Sequence, residues 1–387
     1  MKIEQIYAIT NEVAKEVTGE EALVQEDLSN IVQVGTTIQN IDGWQNKFVQ
    51  ALVDRIGRTI FVNRPYSGSA PSVMMDAWEY GSILMKIASD LPEATTNESW
   101  ELTDGASYDP FVYKANPAEA KFYDGLVTFE LDKTIIDRQL KSSFADATQL
   151  NAFISMIFNE VDKAMTIRND ALVMRTINSM IGDTFYNFNS SGVYTSSSGT
   201  KCVNLLYLYN QKYGTSLTAA AALSTPDFLR FASYIMSLYV DRLAKMSVLF
   251  NIGGKHRFTP PDMLHTVLLS EFKEAAGVYL YDAANQFNSD YIKLPKAETV
   301  TFWQGSGTGY SFADTGKVYV TTGSNHAIEA TGVLGVMFDR DALGVCNQNS
   351  RVQTQYNPKA EFTNYFYKRD ARYFTDSNEN FVVFFAA

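Results

Sequence analysis

"DATQLNAFISMIFNEVDKAMTIRNDALVMRTINSMIG" occupies residues 146–182. Leu150, Phe153, Ile154, Ile157, Phe158, Val161 and Met165 recur at helical spacing, and the stripe resumes at Leu172, Ile177 and Ile181. Asp146, with Gln149 three residues on, makes a capping-box start. Gly182 predicts the stop. A helix of this length spans roughly 50 Å, where the average helix has about three turns. The polar break at Arg168-Asn169-Asp170 predicts a bend or a change of face.

What precedes the helix is equally unusual. "SILMKIAS" (82–89) predicts a strand, and "KFYDGLVTFELDK" (121–133) predicts its return. In the second, Val127, Phe129 and Leu131 alternate with Thr128, Glu130 and Asp132, the period of a half-covered strand. Between them runs a polar excursion with Pro92, Pro110 and Pro117. A two-stranded hairpin is not stable alone in water. It needs a partner surface, and another copy of the chain can supply one.

Further outward, Ile6, Ile9, Val13 and Val17 mark an amphipathic helix ending near Gly19. Trp44, Phe48, Leu52 and Ile56 mark a second. Some sixty residues of this kind bury too little surface to form a core by themselves. Residues 63–81 read as a loop. Beyond the long helix, "NFNSSGVYTSSSGTK" reads as a polar loop. Thr225-Pro226 and Thr259-Pro260 each predict a helix start, so His265 falls within an apolar helix. "SVLFNI", "TVTFW", "KVYVT" and "VLGVMF" predict short strands, and the aromatic tail predicts one or two more.

Composition narrows the function. The net charge of −11 removes the basic footprint of a protein that grips nucleic acid. Aromatic residues make up 13%, enough for large packed surfaces, interfaces included. Cys202 and Cys346 form no CxxC pair and read as free buried thiols. The three histidines show no metal-binding spacing. The N-terminus lacks a signal peptide's apolar core, and no apolar run is long enough to cross a membrane. The chain is therefore expected to be soluble and made in a cytoplasm.

Chemical motifs are sparse. "WQGSGTGY" is followed by a turn and strand rather than the helix a phosphate loop requires. Lys255, His256 and Arg257 form a basic turn that suits an anion or plain solvent. His326 has no nucleophile at a useful spacing. Asp339-Arg340-Asp341 is the sharpest candidate. On a strand the two carboxylates share a face, which does not flank a glycosidic bond, and further oxygen ligands for a hard metal are absent nearby. The triplet reads as structural or as an interface, with Arg340 pairing to a carboxylate of its own or another chain. No cofactor, metal or catalytic residue is expected.

Helical arm, long hairpin, very long helix, mixed region and C-terminal strands occur in a telling order. "EYGSILMKIASDLPEA" and "GVMFDRDALGV…RDARYFTDSNENFVVF" resemble the extended-loop strand and the C-terminal strands of tailed-bacteriophage major capsid proteins, the Hong Kong ninety-seven type of shell fold. The resemblance covers nearly the whole chain in order. It implies an α+β fold with an N-terminal arm (1–65), an extended loop (66–131), a peripheral domain with a spine helix (132–184), an axial domain (185–345) and C-terminal strands returning to the periphery (346–387).

The same resemblance implies hexamers and pentamers of a virion head, icosahedral or prolate, enclosing double-stranded DNA without sequence-specific contacts. It implies assembly in the host cytoplasm, a portal protein at one vertex and no membrane. Some relatives carry an N-terminal scaffolding extension; this chain begins at the arm, so a separate scaffolding protein is expected. Candidate subunit contacts are Trp44, Phe48, Trp100, Phe111, Tyr113, Lys114 and Arg340. The loop-lysine cross-link of some relatives is not carried over to Lys114. Two other readings stand beside this one: an encapsulin-like nanocompartment shell, and a cytoplasmic hydrolase using Asp339, Asp341 or His326.

Overall fold

The computed structural model describes residues 65–73, 83–89, 91–92, 94–97, 103–105, 107, 109, 111, 118–136, 147–189, 197–279, 297–304, 316–321 and 327–387. The two N-terminal helices, the start of the capping box at Asp146, the glycine loop at 305–310 and His326 lie outside them. The chain forms two compact units. One comprises Met1–Tyr66, Lys133–Lys163 and Thr354–Tyr365; the other comprises Ser67–Asp132, Ala164–Gln353 and Phe366–Ala387.

The predicted hairpin is present, but its return is two strands rather than one. Strand β1 (Leu84–Ser89) pairs antiparallel with β2 (Ala118–Tyr123), and β3 (Leu126–Ile136) joins a different sheet. The break falls at Asp124-Gly125. A Cβ on Gly125 would lie 2.6 Å from the Tyr373 carbonyl oxygen, so only glycine lets the backbone approach this closely.

The long helix is longer than its sequence signals. Helix α1 (Ala147–Phe188) has 42 residues, about 63 Å of rise. Gly182 does not end it. A glycine inside a helix costs about 1 kcal/mol, whereas Ile181 and Phe185 on either side are fully buried and each contributes roughly 1.5–3 kcal/mol. Packing therefore overrides the stop signal.

The core of the second unit is a five-stranded sheet in the order β4-β12-β9-β5-β6. Its strands are β4 (Cys202–Asn204), β5 (Leu264–Leu269), β6 (Ala297–Val300), β9 (Val333–Asp339) and β12 (Phe381–Phe385). Residues of β5, β9 and β12 are buried throughout. Phe185, Phe228, Phe272, Trp303, Phe338, Phe381, Phe384 and Phe385 fill the space between sheet and helices. The helices are α2 (Leu205–Tyr213), α3 (Ala219–Ala222), α4 (Pro226–Leu243) and α5 (Ser270–Tyr279). A smaller ladder pairs β7 (Val318–Thr321) with β8 (Ala327–Ala330). Strands β10 (Leu343–Asn357) and β11 (Phe362–Thr375) form a three-stranded sheet with β3. Cys202 and Cys346 are free and buried, as expected.

Three further expectations need correction. The segment after Thr259-Pro260 is not a helix: Leu264–Leu269 is a strand in the middle of the sheet, and helix begins only at Ser270. A continuous apolar run covered on both faces has no period to separate strand from helix. "SVLFNI" is not a strand; only the bridge between Ser247 and Arg257 is β-like. Thr225 precedes α4 but does not cap it, its hydroxyl bonding the Ala221 carbonyl instead. Helix α2 and strand β10 were not anticipated. Helix α2 has both of its end signals: the Asn204 side chain accepts from the Tyr207 N–H at 3.1 Å, and Gly214 closes it at φ 63°.

Candidate functional site

Hairpin strands alternate their side chains between two faces. On β1 and β2 the face turned inward carries the lysines, Lys86 and Lys121. The other face carries Met85, Ile87 and Phe122, with Met85 directly opposite Phe122 in the ladder. Ile87 and Phe122 are 66% and 65% exposed, and Ile83 and Leu126 extend the apolar surface at the strand ends. This polarity is inverted. A sheet on a monomer's surface ordinarily turns apolar residues in and polar residues out. A contiguous exposed apolar patch marks an interaction surface.

The inward lysines meet a built set of anions. Lys86 Nζ lies 2.7 Å from Asp376 Oδ2 and 3.4 Å from Glu379 Oε1, and donates to the Asp341 carbonyl at 3.0 Å. Lys121 Nζ lies 3.3 Å from Asp376 Oδ1. Arg257 Nε lies 3.4 Å from Glu379 Oε2, and Lys255 Nζ lies 3.1 Å from Glu119 on β2. Burial by itself would raise the Asp376 carboxyl; the bonds from Lys86 and the Asn378 N–H, with the charges of Lys86 and Lys121, outweigh it and hold the group below the usual carboxylate range. The basic turn at 255–257 thus has an anion after all, supplied by the chain's own hairpin and the loop before β12.

A second clip holds the segment that leads into the hairpin. Glu298 on β6 accepts from both the N–H, at 2.7 Å, and the hydroxyl of Ser72. His265 Nε2 lies 3.1 Å from the same carboxylate, its ring stacked on Phe338 at 5.1 Å. Burial pushes the Glu298 carboxyl up, but the bonds from Ser72 and His265 bring it below its ordinary value. The Ser69 N–H donates to Asp170 at 2.9 Å, and the Val345 N–H donates to the Val73 carbonyl at 3.2 Å. His265 is therefore a strand residue within this clip.

Asp339-Arg340-Asp341 closes a turn between β9 and β10 and is not the interior of a strand. Asp339 is buried, accepting from the Thr259 hydroxyl at 2.7 Å and the Asp341 N–H at 2.9 Å. The two aspartates do not form a facing carboxylate pair. Arg340 is exposed, and its side chain makes no ion pair with a described residue. Phe111, near the excursion's end, is 89% exposed. Trp44, Phe48, Trp100, Tyr113 and Lys114 lie outside the described residues. The lysine face of the hairpin escaped the sequence reading, although its alternation in "LMKIAS" was a usable signal.

Among the described residues, no helix is long and apolar enough to cross a membrane, and no cluster of three metal-ligating side chains occurs. A two-stranded hairpin, charged where it meets its own body and apolar on its other face, presents the kind of surface that marks an interaction site. The chain belongs to the Phi29-like phage major capsid protein family, whose model matches residues 6–385. It is 21% identical to the major capsid protein of Bacillus phage GA-1 over 322 residues, which cover 83% of this chain and 57% of that protein. The chain thus spans a little over half the length of that relative. Among solved structures, the capsid of Staphylococcus phage Andhra aligns with a TM-score of 0.53 at 10% identity, covering 85% of this chain and 87% of that one. A chain from bacteriophage P68, in a structure of its head fiber and inner core protein, aligns with a TM-score of 0.54 at 9% identity over the same shares. These likenesses establish the tailed-phage capsid fold.

Proposed function

We propose that this chain assembles into hexamers and pentamers of a tailed-phage head, and that the outward apolar face of β1–β2 closes against a neighbouring copy. The inverted polarity of the hairpin carries the proposal. Anchoring through Lys86 and Lys121 leaves Met85, Ile87 and Phe122 to find cover elsewhere, and repeated heterologous contacts close into rings. In this reading residues 1–65 are the arm, 66–131 the extended loop, 132–184 the peripheral spine, 185–345 the axial domain and 346–387 the returning strands. Trp44, Phe48, Trp100, Phe111, Tyr113, Lys114 and Arg340 are contacts between subunits.

The shell encloses double-stranded DNA without reading it, consistent with a net charge of −11. A separate scaffolding protein guides assembly, and a portal protein occupies one vertex. The chain needs no catalytic residue or cofactor for this work. Family membership favours the phage head over a nanocompartment, and the turn geometry of Asp339 and Asp341 disfavours the hydrolase. Electron microscopy of the purified protein, alone or with its scaffold, tests the proposal. Rings, sheets or closed shells support it; a strictly monomeric protein with the hairpin face covered by its own body contradicts it.

A further inference from the structure

Helices α2 and α4 leave a groove of about 680 Å³ between them, closed at one side by Ser198–Thr200. Its floor is apolar, from Leu208, Phe231 and Ile235. Its two cations are held on aromatic rings instead of carboxylates. The Lys212 ammonium lies 5.3 Å, 5.4 Å and 5.9 Å from the ring centres of Tyr213, Phe231 and Tyr234. The Arg242 guanidinium lies 5.1 Å from that of Tyr239. The contacts of both are with aromatic rings, Arg242 also bonding the Tyr239 hydroxyl. Rings at positions 231 and 239 of one helix are about 12 Å apart along its axis. The groove therefore offers an apolar channel with a cation toward each end, within a molecule of net charge −11. Such a site selects an amphipathic helix that is acidic along one edge, by charge complementarity.

The chain's own sequence contains such a segment. Residues 2–21 carry five glutamates against two lysines. Glu12 and Glu16 run beside the stripe of Ile9, Val13 and Val17, and Glu20 follows directly after the expected stop at Gly19, so that the three cover about 12 Å at most at helical rise. We infer that the groove between α2 and α4 receives residues 2–21 of a second copy of this chain. The apolar stripe lies on Phe231 and Ile235, and the glutamates reach Lys212 and Arg242. This extends the proposed assembly to a contact distinct from the hairpin, and rests on it only in requiring that copies meet.

The test mixes equal amounts of nitrogen-14 and nitrogen-15 full-length chains before assembly, then applies a zero-length carbodiimide cross-linker. The expected product joins Lys212 to Glu12, Glu16 or Glu20 and carries mixed isotopes. Lys212→Glu with Arg242→Glu, both at exposed positions, should lower the melting temperature only slightly, through the lost ring contacts, and lower that product about tenfold or more. Adding Glu12→Lys, Glu16→Lys and Glu20→Lys should restore a mixed-isotope product at position 212. Products of single isotope only, or particles that assemble without any cross-link at Lys212, would overturn the inference. The second result leaves the proposed shell function standing. A mixed product from chains that never form rings or shells does the reverse.

Discussion

Lys86 and Asp376 meet at 2.7 Å, joining the outgoing hairpin strand to the loop that feeds the last core strand. Asp376 is almost fully buried and also faces Lys121. One carboxylate therefore holds both strands of the hairpin. Asp376→Asn should leave Lys121 without its carboxylate and Lys86 with only Glu379, at 3.4 Å. The lysines remain partly wet, so the expected cost is about 1–3 kcal/mol, below that of a fully buried pair. Hydrogen exchange should quicken at 84–89 and 118–123 and remain unchanged in β9. Unaltered protection in both strands would show that another contact carries the anchor.

Acid should loosen both clips. Asp376 and Glu298 bind protons less readily in the folded chain than in the unfolded one. Each therefore stabilises the fold above the unfolded carboxyl value of about 4, and that stabilisation fades as pH falls through the lowered folded value. Urea midpoints measured from neutral pH down to about pH 3 should decline through this window. Glu298→Gln should begin less stable and decline less steeply. An identical slope in the variant would remove Glu298 from the account.

Excising residues 92–117, which lie between the paired strands, should spare the fold and impair assembly. The five-stranded sheet takes nothing from this segment. Circular dichroism and melting should match the intact chain, while sedimentation shows fewer rings or shells. Loss of soluble protein would instead place the excursion in the core.

Arg340→Ala should leave the subunit's melting unchanged, because the side chain is exposed and makes no ion pair with a described residue. Assembly yield is then the informative readout. A fall in yield at constant melting makes Arg340 a contact between copies. A lower melting temperature makes it a contact within one.

Gly332 sits at φ +68°, and a Cβ there would lie 2.1 Å from the Ala386 carbonyl oxygen. Gly332→Ala should destabilise the second unit by about 1–3 kcal/mol or more, because both the backbone conformation and the space are wrong. A urea midpoint equal to that of the parent chain would show that the turn relaxes freely.

The sequence made local, periodic features legible. Alternation disclosed β3, the short run "SILMKIAS" disclosed β1, and the stripe from Leu150 to Ile181 disclosed α1. Periodicity failed where burial was complete. Leu264–Leu269 is buried on both faces, His265 and Thr266 included, so its pattern offers no period to set strand apart from helix. Strand β10 failed for the opposite reason: "NQNSRVQTQYN" is almost wholly polar, and its pairing partner is β11. The anchoring pairs were illegible because their members are distant in the chain. Lys86, Lys121, Arg257, Asp376 and Glu379 become one cluster only when the hairpin returns to the loop before β12. Asp339 misled because a charged triplet in an apolar run looks chemical, while its carboxylate serves a buried turn.

The central claim is that another copy covers the outward face of the hairpin. Met85, opposite Phe122 on that face, is 52% exposed in the single subunit and can be oxidised there. Oxidative footprinting should compare Met85 in assembled particles and in dissociated subunits, with exposed Met246 as an internal reference. The account predicts strong protection of Met85 in particles. Equal oxidation of Met85 in both states would contradict it.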